Sequence, residues 1–277
     1  MVMDGRPKLS IIVPTKNSLL QVRALLQSIH CSTVASDVET IVVDSSSVDG
    51  TPALVTKLGA RLLSCKGDRS CARNAGAQAA RANALLFLDS DMTVSPTLLD
   101  ECIHGIHEYD ALCINEISIT ESYLQRARSI EKEAGFRSGL FEAARCIRAP
   151  VFIRAGGYRS SFTGLEDPDL HVRLLEQGAR IGWIDAPVYH DERGLSLYKY
   201  LRKRWQYSAA DRAYSKAHPL DWRLRTSLAL RASALLDYSR KNGMRSTLPY
   251  YPGLAIVRFM EVCVRLMARF LRTHPEG

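Results

Sequence analysis

The sequence lacks most of the features that would place it in a specialised class. Its seven cysteines, at positions 31, 65, 71, 102, 113, 146 and 263, form no C-x-x-C pair and no metal-finger spacing. No signal-peptide pattern stands at its start, so the expectation is reduced thiols in a cytoplasmic chain. A run of 18 or more uncharged apolar residues is missing too, which argues against a conventional membrane span. There is no internal repeat and no low-complexity tract, which excludes a solenoid or a long linker. With 46% hydrophobic and 24% charged residues the composition is that of a globular protein.

What is present is length and an uneven charge. At 277 residues the chain exceeds a modal domain of about 100–150 residues and accommodates one α/β domain with an appendage. Residues 1–192 carry 20 basic and 24 acidic side chains, whereas residues 193–277 carry 17 basic and 5 acidic, a net +12. A basic tail on a slightly acidic body points to an anionic partner, either phospholipid headgroups or nucleic acid. Because no helix-turn-helix, RRM or KH signal accompanies the charge, nucleic acid is not the expected partner.

Hydrophobic patterning gives the organisation. Leu9 to Val13 is an apolar run ended by Pro14, and Leu19 to Ile29 then has helical spacing. The order repeats with a strand at Glu39 to Val43, a turn-rich loop at Asp44 to Asp49 and a helix starting at Pro52. It repeats again with a helix at Ser70 to Ala82 and a buried strand at Ala84 to Leu88. Further on, helices are expected at Glu121 to Glu133 and Pro168 to Gln177, and strands at Ile147 to Ile153, Arg180 to Ile184 and Val188-Tyr189, with helices only beyond Gly194. Strand–helix alternation implies a mostly parallel, Rossmann-like sheet with helices on both faces, and such sheets bind ligands at the strands' carboxyl ends. The division expected is a catalytic domain over 1–192 and a basic helical region over 193–277.

Three polar clusters fall at that edge: Pro14-Thr15-Lys16-Asn17, Asp44-Ser45-Ser46-Ser47 and Asp89-Ser90-Asp91. Asp89 and Asp91 are hard oxygen ligands suited to Mg²⁺ or Mn²⁺ on substrate phosphates, although acids at strand ends also cap helices. Asp44 is placed to accept from a nucleobase or ribose, or else to anchor its loop. Cys71 to Ala77 opens a helix with small residues that would let backbone approach a ligand, with Arg73 directed to base or phosphate. Glu166-Asp167-Pro168-Asp169 gathers acids at a helix N-terminus, where the macrodipole favours carboxylates and one of them can act as general base. His190 offers an imidazole nitrogen to a metal.

In order and spacing these segments resemble the family 2 glycosyltransferases of the GT-A fold, across nearly 190 residues. The blocks are Ser10-Ile11-Ile12-Val13-Pro14-Thr15, Val43-Asp44 to Thr51, Ala72 to Gly76, Phe87-Leu88-Asp89-Ser90-Asp91 and Glu166 to Leu170. The resemblance implies that Pro14, Thr15 and Asp44 hold base and ribose with help from Arg73. By the same token Asp89 and Asp91 would bridge sugar diphosphate and metal, and His190 would complete the metal's coordination. Asp167, beside Glu166, would be the base in an inverting displacement from a UDP- or GDP-sugar. Gly157 and Tyr158 resemble the loop lining the sugar and acceptor pocket. Two departures stand out. Asp44-Ser45 replaces a pair of acids, and Leu201-Arg202-Lys203-Arg204-Trp205 lacks the Gln of the Gln-x-x-Arg-Trp motif of processive synthases, which leaves Arg204 and Trp205 as acceptor or pyrophosphate contacts.

Leu254 to Arg272 reads as one helix, with Arg258, Glu261, Arg265, Arg269 and Arg272 as a stripe edging an apolar face of Phe259, Met260, Val264, Met267, Phe270 and Leu271. Such a face fits a membrane interface, giving a peripheral position on the inner face of the cell membrane, or packing on the body or on a second copy of the chain. Basic and aromatic residues from Tyr198 to Tyr207 suit a lipid-phosphate headgroup, hence a lipid-linked acceptor. The competing readings are a sugar nucleotidylyltransferase, whose glycine-rich N-terminal signature is missing, and a catalytically silent nucleotide-sugar binder.

Overall fold

A strand buried on both faces needs an almost unbroken apolar run, and the sequence supplies two near its start. In the computed structural model, which describes residues 6–136, 138 and 140–273, they are β1 (Leu9–Thr15), buried at every residue, and β2 (Val38–Asp44). Between them α1 (Leu19–His30) buries Val22, Leu25, Leu26 and Ile29, spaced three and four apart. Each such side chain contributes about 1.5–3 kcal/mol, so a charge at Leu25 would break this face. There follow α2 (Thr51–Lys57), β3 (Arg61–Ser64), α3 (Arg69–Ala79), β4 (Ala84–Phe87), β5 (Met92–Val94), α4 (Leu98–Glu108) and β6 (Ala111–Ile119). Next come α5 (Tyr123–Gly135), β7 (Ala144–Arg148), α6 (Ala149–Arg154), α7 (Glu166–Glu176) and β8 (Ile181–Asp191). The remainder is helical: α8 (Leu197–Ala217), α9 (Pro219–Thr226), α10 (Leu228–Asn242), α11 (Met244–Thr247) and α12 (Tyr251–Thr273).

The strands form one sheet of order β3-β2-β1-β4-β7-β6-β8-β5. Its β3-β2-β1-β4 half is parallel, with Thr15 in register with Asp44. Antiparallel pairing begins at β4–β7 and continues in β6–β7 and β5–β8. The carboxyl ends of β1, β2 and β4 therefore share one edge, as the alternation of strands and helices implies.

One expectation fails. Ile147 to Ile153 is not a strand: β7 starts earlier and ends at Arg148, and α6 begins directly after it with Pro150 in its first turn. Proline removes a ladder donor in a strand but is preorganised for the first turn of a helix. The two short strands expected around residues 180–189 are instead a single β8, whose buried positions alternate.

The chain divides into two compact units. The first takes residues up to 117, 143–160 and 170–190; the second takes 118–142, 161–169 and 191 onward. In the first the core is hydrocarbon, built from Leu9, Ile11, Leu25, Val42, Leu86, Met92, Cys102 and Val188 among others. In the second a smaller apolar cluster joins α5, α10 and α12 through Ala127, Ile130, Leu235 and Leu254.

The helix expected at Leu254 to Arg272 is α12, but Arg258, Glu261 and Arg265 of its charged stripe do not edge the apolar face, while Arg269 is exposed and the Arg272 side chain lies outside the described residues. Arg258 and Glu261 pair with one another, Arg258 also reaches Glu131, and Arg265 lies 3.3 Å from Asp211, all inside the second unit. What α12 turns outward is Ile256, Phe259, Val262, Leu266, Met267 and Phe270, with Phe259 71% exposed. Arg258, Glu261 and Arg265 face inward because they find partners there, whereas the stripe alone does not say which side is inward.

Candidate active site

The loops after β1 and β2 are joined by side chains that turn-forming residues supply. Asn17, with φ of 48°, donates its N–H to Ser47 Oγ at 2.7 Å, and its side-chain oxygen accepts from Val48 N–H at 2.9 Å. Buried Asp44 accepts from the N–H of Ser47 at 2.9 Å and from its hydroxyl at 2.5 Å. Asp44 thus anchors its loop, the alternative open beside a ligand role. Thr15 is buried, and its hydroxyl has no hydrogen-bond partner among the described residues. An orphaned hydroxyl at a strand's carboxyl end is a polar group prepared for a ligand.

The small residues of α3 serve packing. A Cβ at Gly76 would stand 2.5 Å from Ile12 Cγ2, so glycine lets the helix lie directly on β1 and not against a ligand. That close approach buries Arg73 completely, and its Nη2 donates to Asp89 Oδ1 at 2.6 Å. Arg73 therefore meets a carboxylate of the chain itself, with the Tyr158 ring centroid 4.9 Å from its guanidinium. Arg69 at 3.9 Å and Arg145 at 4.0 Å complete the cationic surround of Asp89. Burial by itself would raise the Asp89 pKa, but Arg73, Arg69, Arg145 and His190 outweigh it and hold the carboxyl well below the usual carboxylate range.

Asp91, two residues on, is 43% exposed. Its Oδ2 lies 3.3 Å from Nε2 of His190, brought opposite by the β5–β8 pairing in which Met92 faces His190. The other ring nitrogen, Nδ1, is 2.5 Å from Glu116 Oε1, and Arg145 bonds the same carboxylate at 2.9 Å. A carboxylate on one imidazole nitrogen fixes the ring and leaves the other for a metal. Among the described residues no three His, Cys, Asp or Glu side chains converge to hold a metal unaided. Asp91 and His190 offer one oxygen and one nitrogen, a partial set of the kind that Mg²⁺ or Mn²⁺ completes with substrate phosphates and water.

Glu116, Arg145 and Arg69 are the site residues that sequence reasoning missed. Glu116 lies in β6, whose residues 115–117 are only half-buried, and nothing in its neighbours marks it. Arg69 carried a usable signal, standing one helical turn before Arg73.

Gly157 and Tyr158 are brought to α3. Asn74 donates its amide to the Tyr158 carbonyl at 2.8 Å and accepts from Tyr158 N–H at 2.9 Å. Gly157 has φ of 64°, and a Cβ there would stand 2.7 Å from Asn74 Oδ1.

The remaining expected residues lie in the second unit. Glu166 accepts from Gly164 N–H, closing the turn before α7, and buried Asp169 accepts from His218 Nε2 at 2.9 Å. Glu166 and Asp169 thus have structural employment; Asp167, half-buried at the first turn of α7, is engaged as well. Arg204 is enclosed, its Nε 3.8 Å from Glu261, and the Trp205 carbonyl accepts from Ser208 Oγ.

A mixed sheet with parallel strands ending in a D-x-D turn and an antiparallel extension is the GT-A glycosyltransferase fold. Solved structures of this fold match over almost the whole chain. A mannosyltransferase, PcManGT from Pyrobaculum calidifontis, superposes with a TM-score of 0.68 at 16% identity, covering 98% of this chain and 88% of that one. Residues 1–349 of TarS from S. aureus superpose with a TM-score of 0.55 at 18% identity, covering 97% and 92%. The sequence profile described as Glycosyl transferase family 2 matches residues 10–163, more than half of the chain, and the chain belongs to that family. The O-antigen biosynthesis protein RfbC of Myxococcus xanthus is 28% identical over 69% of this chain and 16% of its own length. An uncharacterized glycosyltransferase of Haemophilus influenzae is 26% identical over 61% of this chain and 62% of its own. The chain thus spans less than two thirds of the length of the curated relatives it matches.

Proposed function

We propose that the chain transfers a sugar from a UDP- or GDP-sugar to an acceptor hydroxyl, with inversion and with Mn²⁺ or Mg²⁺ as cofactor. The observation that carries this reading is the pairing of an arginine-bound Asp89 with an open Asp91 facing a carboxylate-fixed His190. Asp91 and His190 Nε2 hold the cation, and Glu116 holds the imidazole in the tautomer that presents Nε2. A divalent ion bound there supplies the positive charge that stabilises the departing nucleoside diphosphate. Arg69 and Arg145 add fixed charge around the phosphates, while Pro14, Thr15 and Asp44 receive base and ribose. Asp167 takes the proton from the attacking hydroxyl. In support, PcManGT was solved with GDP-Man and Mn²⁺, and TarS with UDP-GlcNAc.

The acceptor is lipid-linked in this reading, and the enzyme lies on an anionic membrane surface. No helix among the described residues is long and apolar enough to cross a membrane. The outward face of α12 is apolar, and the same unit exposes Lys199, Arg202, Lys203, Arg212 and Lys216 on α8. An amphipathic surface with that charge complements an anionic leaflet, each cation adding about 1 kcal/mol. Phe259→Asp with Leu266→Asp should abolish flotation on vesicles containing phosphatidylglycerol. A pair of substitutions that leaves flotation intact but splits a dimer would assign the face to a second copy.

The transfer reading is tested by nucleotide release from UDP-, GDP- and dTDP-sugars with Mn²⁺ or Mg²⁺. Slow metal-dependent release from one donor, absent in Asp91→Ala, is expected. No release and no metal-dependent nucleotide binding would sink it.

A further inference from the structure

At the centre of the second unit there is charge. On α5, Arg128 donates to Glu192 at 3.2 Å, and Lys132 Nζ lies 3.4 Å from the same carboxylate. Arg231 of α10 lies 2.8 Å from Glu131, which Arg258 of α12 also contacts while bonding Glu261. Arg265 is 3.3 Å from Asp211, and Arg204 is 3.8 Å from Glu261, too far for a hydrogen bond. Glu192 and Glu131 are thus each shared between two cations.

The Nε groups of Arg204 and Arg258 are buried without a hydrogen-bond partner among the described residues, and that of Arg265 lies 3.3 Å from Asp211 Oδ2. Burial, followed by the neighbouring Arg265, pulls the Arg204 guanidinium down to about 10. Burial pushes the Glu261 carboxyl up to about 7. A buried guanidinium N–H without an acceptor is costly, so an anion that reaches Arg258 would be stabilised there.

There is a place for one. A cavity of about 220 Å³ opens between α5, α8 and α12, walled by Arg128, Lys132 and Arg258 against Glu131 and Glu192, with Tyr200 and Phe141 at its sides. The Arg128 guanidinium lies 3.7 Å from the Tyr200 ring centroid, a stacking that fixes the plane of its donor fork. Arg128 and Tyr200 also wall a second cavity of about 60 Å³, whose other residues include Leu124, Leu195 and Leu197. A cationic compartment and an apolar one therefore share two side chains.

We propose that the paired cavities bind a phosphorylated amphiphile, its phosphate or diphosphate against Arg128, Lys132 and Arg258 and its first carbons against Leu124, Leu195 and Leu197. The binding stands on the second unit alone; that the amphiphile is the sugar acceptor rests on the transfer reading proposed above.

The test uses the full chain in EDTA, titrated calorimetrically with inorganic pyrophosphate, inorganic phosphate and farnesyl phosphate. Arg128→Gln and Lys132→Gln should each weaken pyrophosphate binding at least about tenfold, as expected for losing one charge-assisted contact. Lys132 is partly exposed, so its variant should fold even where the other does not. Farnesyl phosphate should bind at least about tenfold tighter than phosphate, an advantage that Leu195→Asn removes. Equal affinity for both would overturn the amphiphile and leave a plain phosphate site. Pyrophosphate binding unchanged in folded Arg128→Gln and Lys132→Gln would overturn the site itself. Wild-type protein is assayed in parallel for metal-dependent nucleotide release. Release without phosphate binding sinks only this inference, and phosphate binding without release sinks only the transfer reading.

Discussion

The two units solve opposite problems of burial. In the first, hydrocarbon fills the interior and charge gathers at the carboxyl edge of the sheet, where Arg73 meets Asp89, and Glu116 meets Arg145 and His190. In the second, ion pairs lie inside, with single carboxylates shared between cations, while α12 turns Phe259, Leu266 and Phe270 outward. Matched charge at an edge is a site arranged for a ligand and its metal. Shared carboxylates inside, with hydrocarbon outside, is an arrangement open to an anion and to an apolar surface.

The comparison breaks most sharply at single arginines. Arg73→Leu leaves the Asp89 carboxylate without its closest partner and should cost about 3 kcal/mol of stability, read from urea unfolding. Loss below about 1 kcal/mol would mean that Arg69 and Arg145 suffice. Next in size, Glu116→Gln should raise the Mn²⁺ concentration needed for half-maximal nucleotide binding by about 10–100-fold while leaving metal-free binding alone. A shift in neither would remove Glu116 from the account.

The acid limb of stability gives a smaller effect. The folded Asp89 carboxyl titrates below its unfolded value of about 3.9, so its contribution is complete above that pH and is lost as pH falls through it toward the folded value. Asp89→Asn should flatten that limb in urea midpoints measured from pH 6 to pH 3. Smallest of all, Arg204→Leu removes a cation that lies 3.8 Å from Glu261, beyond hydrogen-bond reach, and should change stability by less than about 1 kcal/mol in either direction, measured in the same way. A loss as large as that of Arg73→Leu would make the two interiors alike.

How far the sequence could be read follows the same division. Strands β1, β2 and β4 are apolar runs that lead into Pro14-Thr15, Asp44 and Asp89, so the centre of the parallel half and the residues at its edge can be located without coordinates, whereas the short, half-exposed β3 carries no such run. Glu116 could not be located, because its role depends on β6 entering the antiparallel half and on β5–β8 pairing that carries His190 across from Met92. Pro150 misled as part of an apolar run, since the same residue that ends a strand begins α6. In α12 the helical period was legible but its orientation was not: arginines at 258 and 265 can edge a membrane face or fill an interior, and only Glu131 and Asp211, both distant in sequence, decide it.

The central claim is that Asp91 and His190 make nucleotide binding depend on a divalent metal. Its most direct test is calorimetric titration of the full chain with UDP and with GDP, in EDTA and in Mn²⁺. Tighter binding of one nucleotide with Mn²⁺, with the gain abolished by Asp91→Ala, is the predicted result. Equal affinity with and without metal, or a gain that survives Asp91→Ala, would contradict the account.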